Sequence, residues 1–113
     1  GVAWVPFMMQ HLDNEYLMRS SEAPNLKKLP SEYIQDMYFT TQPMERTNMG
    51  LLEAGFKAMK ADTQLLYASD WPHWDFDAPN SVYDLPFLDE DAKKNILGRN
   101  AARLFGLPDP TRD

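Results

Sequence analysis

The sequence predicts an α/β fold with parallel strands. Two observations carry this. Three short apolar or β-branched runs lie near residues 1–5, 37–41 and 65–69, and a stretch whose apolar residues recur at helical spacing follows each run. An order of strand, helix, strand, helix, strand, helix implies parallel strands joined by crossover helices. No internal repeat or low-complexity segment interrupts the alternation.

Gly1-Val2-Ala3-Trp4-Val5 is apolar and ends at Pro6, which suits the last residues of a buried strand whose start lies before this chain. Pro6 fits a first helical turn, and Phe7, Met8, Met9, Leu12, Tyr16 and Leu17 predict a helix over about residues 6–19. Residues 20–30 are polar, contain Pro24 and Pro30, and form a loop. Ser31 as N-cap and Glu32 as an early acidic residue then start a short helical turn. Met37-Tyr38-Phe39-Thr40-Thr41 is the second strand, closed by Gln42-Pro43.

Met49, Leu52, Phe56 and Met59 mark one face of a helix over about residues 45–60, weakened by Gly50 and Gly55. Leu65 to Ser69 is the third strand. Residues 74–86, rich in Asp, Pro and Asn, are long for a simple connection and make a candidate functional loop. Asp89 caps the last helix, Ala92, Ile96, Leu97, Ala101 and Leu104 form its stripe, and Gly106 stops it ahead of Pro108. Residues 108–113 are expected to be a flexible tail.

With 113 residues, 43% hydrophobic and 12% aromatic, the chain has the composition of about one folded domain. It has no cysteine, so a metal would have to be held by His, Asp or Glu, and the cellular compartment leans to the cytoplasm. A net charge of -6 without a basic cluster argues against nucleic acid or an anionic membrane as partner. No apolar run approaches the roughly 20 residues of a membrane span. A start at Gly1 rather than Met suggests a processed or trimmed piece.

The chemistry concentrates where the third strand breaks. Leu65 to Ala68 is apolar, and Ser69-Asp70-Trp71-Pro72-His73 follows at once, because Pro72 removes a donor and biases Trp71 away from helix. A carboxylate and an imidazole thus lie at the C-terminal end of a strand, where parallel α/β folds carry their sites. Asp70 is the nominated residue. Trp71, Trp74 and Phe76 suit an apolar or aromatic ligand wall, and equally core packing or lid closure. His11 has no spaced partner and is expected at the surface. Thr40, Thr41 and Gln42 also fall at a strand end, where they either face a ligand or satisfy local backbone groups.

Leu66-Tyr67-Ala68-Ser69-Asp70-Trp71-Pro72-His73, then Leu85-Pro86-Phe87-Leu88 and the run from Ile96 to Leu107, resemble the C-terminal end of amidohydrolase-related proteins. Gly1 to Pro6, Leu12-Asp13, Pro30 to Tyr33 and Phe39 to Pro43 are similar to the same family, in its aminocarboxymuconate-semialdehyde decarboxylase-like branch. The resemblance implies that residues 1–107 are the last three units of a (β/α)8 barrel, which when complete needs about 250 residues. It also implies a divalent metal, commonly zinc, and it matches Asp70 to the aspartate that ligates this metal or takes a proton beside it. His73, Trp71 and Trp74 are the candidate substrate contacts.

One departure bears on function. The resemblance implies histidine ligands that include a His-x-His pair, but only His11 and His73 are present and no His-x-His occurs, so one carboxylate and one imidazole fall short of the three protein ligands of a catalytic zinc. The expectation is therefore the C-terminal segment of a metal-dependent hydrolase or decarboxylase acting on a small organic acid, not competent alone. Its partner would be the missing N-terminal barrel half or a second copy. A non-catalytic assembly module from the same family is the alternative, its open sheet edges covered by self-association. Paired use of Asp70 and Asp75, as in glycoside hydrolysis, is a third.

Overall fold

The structure, a computed structural model, describes residues 1–112. Its first element is helix α1 (Trp4–Met18), so the strand expected near residues 1–5 is not one. The reason lies in the spacing. Val2, Val5 and Met9 fall on one helical face and all three are buried, a pattern that five apolar residues at a chain start do not distinguish from a strand. Pro6 sits in the first turn, where its missing N–H leaves no intrahelical bond unmade.

A 3-10 turn (Ser20–Glu22) leads toward helix α2 (Pro30–Ile34). Leu29, not Ser31, is its N-cap, because Pro30 takes the first helical position. The Glu32 carboxylate accepts the Leu29 N–H at 2.8 Å, while the Ser31 N–H donates to Asp13 at 2.8 Å and ties α2 to α1. Strand β1 (Phe39–Thr40) follows, then helix α3 (Met49–Ala58), whose cap is Asn48, accepting from the Leu51 N–H at 3.0 Å. Lys60 is left-handed (φ 54°) and separates α3 from the short helix α4 (Ala61–Gln64), which runs into strand β2 (Leu65–Leu66).

β1 and β2 pair in parallel, Phe39 against Leu65 and Thr40 against Leu66. Parallel pairing is as expected, yet each strand is two residues long rather than five. Past the paired residues the buried Thr41 takes over the ladder. Its N–H donates to Leu66 O at 2.9 Å, and its hydroxyl accepts the Ala68 N–H at 3.1 Å. On the other side of β2, the Tyr67 N–H donates to the Ile96 carbonyl at 2.9 Å. Two strands are thus present among the described residues where three were expected.

Helix α5 (Asn80–Tyr83) and helix α6 (Glu90–Lys94) follow, the latter capped by Asp89 as predicted. A π turn (Asn95–Arg99) connects α6 to helix α7 (Asn100–Phe105), which ends at left-handed Gly106. There the Leu107 N–H donates to Ala102 O at 2.8 Å, satisfying a carbonyl of the last turn. Val5, Met59, Leu65, Val82, Leu85 and Ile96 are essentially inaccessible and form the core that holds β2 in the middle. The predicted tail includes Asp113, which lies outside the described residues. Before it, Thr111 accepts from the Arg99 Nε at 2.8 Å. No helix is long and apolar enough to cross a membrane among the described residues.

Candidate metal centre

β2 delivers the chain into a loop over residues 69–77 that closes on itself. The Asp77 N–H donates to Ser69 O at 2.9 Å, and within that ring the His73 N–H donates to Asp70 O at 2.8 Å. Asp70 opens the turn with φ 60°, in the left-handed region that an aspartate tolerates better than most residues. Trp71-Pro72 is a cis peptide, as is Gln42-Pro43 on the segment that faces the loop.

Three bonds fasten this loop to the scaffold. The Tyr67 hydroxyl donates to Asp77 O at 2.6 Å, the Met44 N–H donates to the Asp77 carboxylate at 3.0 Å, and the Gln42 amide donates to Asp75 O at 3.2 Å. The segment leaving β1 thus grips the loop leaving β2. This settles the roles of Thr41 and Gln42: both satisfy backbone carbonyls or N–H groups across the sheet end.

Ligand-type atoms of Asp70, His73 and Asp75 lie within 4.8 Å of one another. His73 Nδ1 is hydrogen-bonded to the Asp75 carboxylate and stands 3.4 Å from Asp70 Oδ2. The Asp75 hydrogen bond, reinforced by the charges of Asp75 and Asp70, raises the His73 pKa above that of an ordinary histidine. All three side chains are a third to a half exposed, which leaves the cluster open to solute.

Asp70 and His73, both nominated from sequence, are therefore brought together. The count of two donors is corrected to three, since Asp75 folds back onto His73. Asp75 was named from sequence only as a carboxylate paired with Asp70. Asp77, which fixes the loop through both backbone and side chain, was missed. The aromatic residues divide. Trp71 packs edge-on against Phe76 at 5.0 Å, while Trp74 stands 86% exposed with its ring 6.0 Å from that of His73.

Chemically, two carboxylate oxygens and one imidazole nitrogen suit a divalent cation. They equal in number the three protein ligands usual for catalytic zinc. The same atoms without a cation form an acid-base cluster in which Asp75 orients the His73 ring.

No curated protein matches the chain. A family model described as amidohydrolase matches residues 3–107, a span that contains both strands and the whole of the loop.

Proposed function

The chain belongs to the amidohydrolase family, and from that premise we propose that it supplies the aspartate-bearing wall of a metal-dependent hydrolase or decarboxylase site. The observation that carries the reading is the convergence of Asp70, His73 and Asp75 on the loop leaving β2. Asp70, His73 and Asp75 would hold the cation, with zinc the expected metal. When bound, such a metal lowers the pKa of a coordinated water and polarises a carbonyl or carboxylate oxygen of the substrate.

The chain's own residues do the rest. Asp70 follows directly from the hydrogen-bonded sheet end, and its carboxylate would take a proton beside the cation. In the metal-free chain Asp75 holds the imidazole of His73 by its Nδ1 and favours its protonated form; the ring would give up that proton to hold the cation. Trp71 and Trp74 offer apolar surface beside the cluster for the body of a small organic acid. In this reading the chain forms the last part of a (β/α)8 barrel, works with an N-terminal half or a second copy, and is not competent alone.

Co-expression with an N-terminal segment of the same family that carries a His-x-His pair tests this. Zinc-dependent CO2 release or amide hydrolysis is expected, and activity that survives Asp70→Ala contradicts the role of Asp70. A second reading, a non-catalytic assembly module, is favoured by the exposure of Phe7, Leu17 and Phe105, each near 70%. It predicts a self-associating chain that gains no activity from that partner.

A further inference from the structure

A cavity of about 880 Å³ lies away from the acidic cluster, between the start of α1 and the face of α3. That is within the usual range for small-molecule sites. Its floor is apolar: Val2, Met44, Leu52 and Phe56 line it and are themselves buried. Its wall is fixed, because Met44 is fastened through its N–H to Asp77.

One cation lines this cavity, and it is unspent. Arg19, Arg99 and Arg112 each pair with a carboxylate and Arg103 donates to Asn100, whereas Arg46 has no partner among the described residues. The Arg46 guanidinium is thus free to pair with an anion in the cavity. Of the other polar lining groups, the Asn48 side chain is occupied by capping α3, and the Glu45 carboxylate lies against Gly1. The field around the metal loop is opposite in sign. Residues 61–92 hold eight acidic side chains and no lysine or arginine. Without a cation in that loop, an organic anion is favoured at Arg46 over that segment.

We propose that the cavity is a binding site for a small organic acid with an aromatic-sized apolar body, its carboxylate held by Arg46 and its hydrocarbon by Met44, Leu52 and Phe56. A planar guanidinium matches a carboxylate in two parallel hydrogen bonds, and the buried floor gains from covering an apolar ring. The site stands independently of whether the loop over residues 69–77 holds a metal.

The test uses 2-naphthoate as probe and 2-naphthylmethanol as its neutral counterpart. Binding is followed by calorimetry and by the methyl resonances of Met44 and Met49 in the full chain. Saturable naphthoate binding that shifts Met44 is expected. Arg46→Gln should weaken naphthoate by about tenfold or more and the alcohol by less than about twofold, with Arg46→Lys intermediate. Arg46 is exposed, so these substitutions leave the fold intact. Equal weakening of acid and alcohol overturns the proposal. So does an unmoved Met44 resonance, or a concentration-dependent dimer that occupies the cavity and excludes the probe.

Discussion

Replacing Asn100 by Ala should unfasten the strand that carries the candidate metal loop. Asn100 is fully buried at the start of α7, and its amide donates to Asp62 O at 3.0 Å and to Leu65 O at 2.8 Å. It thus joins the start of α4 and the first residue of β2 to the last helix, while its own carbonyl oxygen accepts from Arg103. Truncation leaves two carbonyls without this donor, Leu65 O buried and Asp62 O part-buried, and leaves Arg103 without its acceptor; a buried group that loses its partner costs about 1–3 kcal/mol. A loss of about 3 kcal/mol is expected, a large share of the 5–15 kcal/mol typical of a whole domain. For a chain of this size that corresponds to a fall in Tm of roughly 10 °C. Asn100→Asp should cost at least as much, because it keeps the acceptor for Arg103 but sets a negative charge against two carbonyl oxygens. Urea unfolding measures both, and amide exchange at Leu66 and Tyr67 reports the strand itself. A loss below about 1 kcal/mol for Asn100→Ala, or an Asn100→Asp variant as stable as the parent, would refute the reasoning.

Tyr67→Phe removes the hydroxyl that holds Asp77 O and should cost about 1 kcal/mol, with amides of residues 69–77 exchanging faster while those of α1 keep their rates. The His73 ring should titrate above the ordinary histidine value in the metal-free chain, and Asp75→Asn should bring its midpoint down, as followed by ring-proton shifts. The sign of the linkage follows. Because the folded-state pKa is raised, the stabilisation of the loop by this pair is fully present below the unfolded-state pKa and is lost as the pH rises through the folded value. A His73 midpoint unaffected by Asp75→Asn would contradict the hydrogen bond between them.

How much of this was legible in the sequence varies with the physics of each element. The caps and stops were readable where one side chain acts on its own neighbours, as with Asp89 capping α6 and Gly106 ending α7. The helix expected over about residues 45–60 is found as Met49–Ala58, and its cap Asn48 was not foreseen, since the boundary depends on where the Gln42-Pro43 segment releases the chain. The first apolar run misled because Val2 and Val5 satisfy a helical face as well as a strand end. The two strands were found but overextended, because the Ala68 N–H goes to the Thr41 hydroxyl and the Tyr67 N–H to Ile96 O rather than to a longer β1–β2 ladder. At the site, Asp70 was legible from its place after an apolar strand. Asp75 was named only as a carboxylate paired with Asp70 and Asp77 was not named, since their contacts arise from a loop closing on itself, which sequence spacing only hints at. The Asn100 anchor, reaching back some 35 residues, left no local signal at all.

The central claim is that the loop leaving β2 is a metal site organised by Asp70. Its most direct test is the zinc content of the purified chain after equilibrium dialysis against buffered zinc, measured by elemental analysis for the parent and for Asp70→Asn. Asparagine accepts the left-handed backbone at this position, so the variant keeps the loop and loses only the charge. The account predicts about one zinc per parent chain and a loss of most of it in Asp70→Asn. Equal zinc content in the two proteins, or none in the parent, would contradict it.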